Sequence, residues 1–170
     1  KNITLDFEAA NYKFWTYDWR ISFEKGDKYN SWNSDGYKRE FYKIAGSYFP
    51  NDNLKINLQY RIRKENEWLI WTEDNKFGLY DSEQDTVSIG LNWFSGNKHE
   101  IRLKSQFVAL QADNPQSLIS DSDGYLYESD DLIKPFTQGV VSFQVRYKYE
   151  IAPLSYLYLV YSKGGTSYDG

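Results

Sequence analysis

Apolar and polar residues alternate along most of this chain with a period of two, the spacing that gives a β-strand two chemically different faces. In residues 2–10, Ile3, Leu5, Phe7 and Ala9 alternate with Thr4, Asp6 and Glu8. In 13–24, Trp15, Tyr17, Trp19, Ile21 and Phe23 alternate with Thr16, Asp18, Arg20 and Ser22. A third run at 37–49 puts Tyr42, Ile44, Gly46 and Tyr48 on its apolar side. In a fourth at 54–71, Leu54, Ile56, Leu58, Tyr60 and Ile62 oppose Lys55, Asn57, Gln59, Arg61 and Arg63. The fifth, at 77–94, carries Val87, Ile89, Leu91 and Trp93 on one face. The sixth, at 99–112, sets Ile101, Leu103, Phe107 and Ala109 against Arg102, Lys104 and Gln106. The hairpin 140–165 supplies two more: Val141, Phe143, Val145, Tyr147, Tyr149 and Ile151 oppose Ser142, Gln144, Arg146, Lys148 and Glu150, and the returning run is apolar or aromatic at nearly every position. No segment of useful length repeats at 3.6, so the pattern predicts an all-β chain of about eight strands.

The connections alternate too. Those at 11–12, 50–53, 95–98 and 152–155 are short, and Pro50-Asn51-Asp52-Asn53 has turn chemistry. Those at 25–36 and 113–138 are long and polar, and 72–76 caps two strands that overrun the thickness of a membrane. Short and long connections in turn are the mark of an antiparallel up-and-down barrel crossing an outer membrane, with short periplasmic turns and longer loops outside. Leu54 to Ile62 covers nine residues, and a tilted membrane strand needs about 9–11. Tyr48 and Phe49, Tyr60, Trp93 and Phe94, Tyr147 and Tyr149 fall near the ends of such a band, where rings with a wet tip are favoured. The soluble alternative is a β-sandwich or lipocalin-like barrel, in which Leu58, Ile89 and Phe143 would point into a core. With short turns inside, both ends of the chain would lie outside. A complete barrel starts and finishes on the periplasmic side, so the expectation is a segment of a larger barrel with at least one further strand at each end.

Composition narrows this picture. Aromatic residues make up 19% of the 170, with 16 Tyr, 10 Phe and 6 Trp, which favours strands. No run approaches 18 consecutive apolar residues, so a transmembrane helix is not expected, and barrel strands would not produce such a run. The net charge of -4 is mild and its basic residues are interleaved with acids, which argues against nucleic acid as a partner. The absence of Cys excludes disulfides and thiolate chemistry.

The segments EFYKIAGSYFPNDNLKINLQYRIRKENEWLIW, KFGLYDSEQDTVSIGLNWFSGNKHEIRLKSQFVALQA and FQVRYKYEIAPLSYLYLVYSKGG resemble the C-terminal barrel of a bacterial family. Its members join a family-nine-like carbohydrate-binding module to an outer-membrane-type domain of unknown function. The resemblance runs from about residue 40 to 165 and is most specific in RYKYEIAPLSYLYLVYSKGG. It implies a longer parent with the module upstream and a final strand downstream, in the outer membrane of a Gram-negative bacterium. It carries over no catalytic residue, and a link to saccharides enters only through the module.

The resulting expectation is a channel or transport component, with a non-conducting barrel that displays its loops or a module as the alternative. Lys55, Arg61, Arg63, Arg102, Lys104, Arg146, Lys148 and Glu150 would line the lumen, sharing it with Asp6, Glu8 and Asp18, either selecting solutes or bracing the lumen with salt bridges. Leu54, Ile56, Leu58, Ile89, Leu91, Phe143 and Val145 would face lipid, with lipopolysaccharide and the remaining barrel strands as further partners. Asp121-Ser122-Asp123-Gly124 starts like a calcium loop but lacks the later ligands, so a solvated acidic loop is expected, with divalent bridging to lipopolysaccharide the weaker reading. His99 beside the 95–98 turn reads as a surface residue. No pair of carboxylates, phosphate loop or metal set stands out, so no enzyme, cofactor or metal is expected.

Overall fold

The computed structural model describes residues 2–12, 14–25 and 38–169. They form one antiparallel sheet in which strands follow chain order: β1 (Asn2–Tyr12), β2 (Trp15–Lys25), β3 (Lys38–Asn51), β4 (Leu54–Glu73), β5 (Lys76–Ser95), β6 (His99–Ser120), β8 (Phe136–Ala152) and β9 (Ser155–Asp169), with the short β7 (Leu126–Glu128) paired only to β6. The architecture is therefore all-β and up-and-down, as the alternation predicts. The sheet is not closed: β1 and β9 are its two edges.

The registers explain why the alternation is so regular. Most pairings keep apolar opposite apolar, so each face carries over from strand to strand. One row reads Trp15, Tyr48, Ile56, Leu91, Leu103, Val145, Tyr161, and the next Tyr17, Gly46, Leu58, Ile89, Ser105, Phe143, Lys163. A slip of one residue at any pair would exchange the faces. Ser105, and Lys163 opposite Phe143 on the edge strand, are the polar exceptions in the second row.

Two sequence expectations need correction. The segment 113–138 is not one long loop. β6 continues to Ser120, Leu126–Glu128 pairs back onto it, and β8 starts at Phe136. Pro115 is accommodated because the β5–β6 register shifts there, with Asn114 at φ 49° and its side-chain amide donating to Asp81 Oδ2 at 2.8 Å. A second shift, with Glu67 at φ 58°, interrupts β4–β5 at the same height. Above these bulges lies the hydrophobic core of the described residues, where Leu79, Leu118 and Leu126 pack with Leu69 and Phe77. Secondly, Phe49 and Phe94 do not join the apolar belt. Phe94 pairs with Glu100 on the polar face, and Lys55 Nζ sits 5.1 Å over the Phe49 ring. The loop expected at 25–36 lies outside the described residues except for Lys25, and so do Tyr37 and the side chains of Glu8, Asp18 and Trp19.

Candidate functional site: the two faces of the sheet

The apolar face has clear upper and lower limits. At one end Asp85, Lys64 and Glu83 stand on it, with the Tyr60 hydroxyl donating to Asp85 Oδ1 and Lys64 Nζ 2.9 Å from Glu83. At the other end rings gather: Trp15 stacks on Tyr48 at 4.2 Å, and His99 stacks on Tyr149 at 4.9 Å with Nδ1 2.7 Å from the Tyr147 hydroxyl. His99 is thus half-buried in an aromatic cluster rather than a solvated turn residue. Its ring belongs there because His99 and Tyr149 are direct cross-strand partners. Between these limits the expected residues Leu54, Ile56, Leu58, Ile89, Leu91, Phe143 and Val145 share the face. No other described part of the chain covers it: Leu58 is 56% and Ile89 44% exposed.

The opposite face collects the polar residues, and it is there that polar groups are buried. Thr86 is 2% and Glu100 8% exposed. Lys55, Arg61, Arg63, Arg102, Lys104, Arg146, Lys148 and Glu150 all lie on this face. Two carboxylates organise the cations, and neither was singled out from the sequence. Glu100 receives Arg102 Nε, Arg146 Nη2 at 3.5 Å and Lys148 Nζ at 3.9 Å. Glu65 receives Arg39 Nη2 at 2.7 Å and Arg63 Nη2 at 2.8 Å. Both are in phase with the Arg residues two positions away, and that phase was the available signal. Arg20 pairs with Asp6. The unbroken apolar run of β9 is also explained. Its Tyr156 and Tyr158 lie on the polar face under Lys148 Nζ, at 4.1 Å, and the Arg146 guanidinium, at 6.0 Å.

Two hollows follow from this arrangement. One of about 440 Å³ is lined by Arg20, Arg39, Arg61, Arg63 and Thr86 with neighbours Thr4, Ser22, Phe41 and Gln84. The other, of about 750 Å³, is lined on this face by amides and hydroxyls, among them Asn57, Gln59, Ser88, Gln106, Ser142 and Gln144, with Lys104.

In the turn between β6 and β7, Asp121 acts on the backbone. Its Oδ1 accepts the N–H groups of Asp123 and Tyr125, each at 2.9 Å, closing the turn that leads into β7. The Tyr125 N–H holds the carboxyl below its ordinary value against a smaller opposing effect of burial, helped by the Tyr127 hydroxyl and the Asp123 and Gly124 amides. A lowered carboxylate pKa stabilises the fold above the unfolded value, about 4, and that contribution is lost as pH falls through the lowered one. Protection of the Tyr125 amide against exchange, relative to its intrinsic rate at each pH, should therefore be kept at neutral pH and fall below pH 4. Asp121→Ala, which leaves no acceptor, should lose that protection at both, and unchanged protection in that variant would remove the capping role.

Comparisons with family models, with curated proteins and with solved structures found no match for this chain.

Proposed function

We propose that these strands are the wall of an outer-membrane β-barrel of a Gram-negative bacterium that passes solutes along its polar face. One observation carries the reading. The registers assemble a continuous apolar face that nothing else in the described chain covers, while the buried polar groups sit on the other face. An apolar surface of this extent marks contact with lipid or another protein. Its height, between the Tyr60–Asp85 limit and the His99–Tyr149 cluster, suits a bilayer core better than a globular partner, because both limits carry residues favoured at a membrane interface. Lipid and lipopolysaccharide would then meet Leu58 and Ile89, and Arg61, Lys104 and Arg146 would face water. The sequence resemblance is consistent with the same membrane, and saccharides enter as solutes only by association with that family's upstream module.

Cysteine substitutions at Ile89, Leu91, Phe143 and Val145, probed with a lipid-phase label in outer-membrane vesicles, test this directly. All four should react from lipid, while cysteines at Arg102 and Arg146 react only from water. If none of the four sees lipid, the membrane reading and the transport reading fall together.

A second reading, a non-conducting barrel that anchors surface loops or a module, is favoured by the cross-linking of cations through Glu100 and Glu65. Planar-bilayer conductance of the full-length protein separates the two: a braced, blocked lumen would be silent.

A further inference from the structure

We infer that the polar face holds an anion site centred on Arg61, which takes the carboxylate of an acidic saccharide. The inference rests on the reading of this face as a solute path and gives that path a substrate class.

Arg20, Lys43 and Arg61 stand side by side in one cross-strand row. Like charges opposite each other destabilise a sheet, so such a row calls for negative charge nearby. Arg20 has Asp6, Lys43 has an interaction of its own, and Arg39 and Arg63 share Glu65. Arg61 meets no carboxylate among the described residues, and its Nε is buried without a hydrogen-bond partner. A buried guanidinium N–H left unsatisfied is costly, and its planar fork is matched to a carboxylate. The hollow of about 440 Å³ in which it lies has room for one.

The shape of the ligand beyond its carboxylate comes from the neighbouring hollow of about 750 Å³. Gln59 is two residues from Arg61 on β4, and Ser88 two from Thr86 on β5, so the two hollows adjoin along these strands. Gln59, Ser88, Gln106 and Gln144 offer both donors and acceptors, which suits a chain of hydroxyl groups. A neutral sugar would leave Arg61 unpaired, and a bare inorganic anion would leave the amides unused. An acidic sugar satisfies both.

Titration calorimetry on the full chain in detergent micelles tests the site, using digalacturonate, with cellobiose as the neutral probe and sulfate as the bare anion. Digalacturonate should bind. Arg61→Gln should weaken it at least tenfold, and Arg61→Lys, which keeps the charge without the fork, should fall between. Gln106→Ala should weaken digalacturonate but not sulfate. The thermal midpoint of Arg61→Gln should equal or exceed that of the parent, since the substitution removes an unpaired cation. If that variant does not fold, Arg61→Lys carries the test. Equal digalacturonate binding by parent and Arg61 variants overturns the site. Cellobiose or sulfate binding as tightly as digalacturonate overturns the ligand class. Bilayer silence with Arg61-dependent binding intact removes the channel and leaves the site standing.

Discussion

Replacing Glu100 by Gln should destabilise the protein more than any other single change on the polar face. Glu100 is 8% exposed and is the common partner of Arg102, Arg146 and Lys148. Without its charge, three cations crowd one corner of the sheet, and the Arg146 Nε is already buried without a partner. Removing one member of a buried ion pair costs about 3–5 kcal/mol, because the charge left behind is uncompensated. Here the cations are partly exposed, with Arg102 at 44% and Arg146 at 36%, so water screens part of the loss and about 2–3 kcal/mol is expected. Urea unfolding in detergent should show the shift, and Glu100→Gln combined with Arg102→Gln should recover part of it. A loss under about 0.5 kcal/mol would mean the cluster behaves as an ordinary surface network.

Ile89→Arg probes the opposite face and discriminates between environments. Ile89 lies midway along β5 between Trp93 and Asp85, in the row with Leu58, Ser105 and Phe143. An Arg at the midplane of a lipid-facing barrel wall costs about 2–4 kcal/mol. On a water-exposed sheet the same substitution should change stability by no more than about 0.5 kcal/mol. Folding equilibria into phospholipid vesicles therefore separate the cases, with Ser88→Arg, one residue away and on the polar face, as the matched control. Lys163 sets a useful reference, since it already places a cation in this row. It does so on an edge strand, where a long stem can carry the charge aside.

The two faces were legible because a period of two survives any local noise: Leu54 to Ile62 and Val141 to Ile151 name their own partners once a register is chosen. The charge clusters were legible only by half. Arg102 and Arg146 stand out as cations in a strand, whereas Glu100 gains its role from strands 46 residues apart in sequence meeting at one carboxylate. The far end of β6 is hidden from the sequence because Asn114-Pro115 reads as the start of a loop, yet a bulge lets the strand absorb both residues and continue to Ser120. Phe49 and Phe94 were misplaced for a simpler reason: each adjoins a belt residue, and neighbours along a strand point to opposite sides.

The order of strands carries one arithmetic consequence. Eight strands, β1 to β6 with β8 and β9, alternate in direction along the sheet, so the two edge strands run opposite to each other. Antiparallel closure between them is then a matter of parity: the gap admits an even number of additional strands, or none. One extra strand would have to lie parallel to one of its neighbours, leaving a seam of a different hydrogen-bond geometry in an otherwise uniform wall. If β1 and β9 belong to a closed wall, any strands between them, from this polypeptide or another, come in pairs.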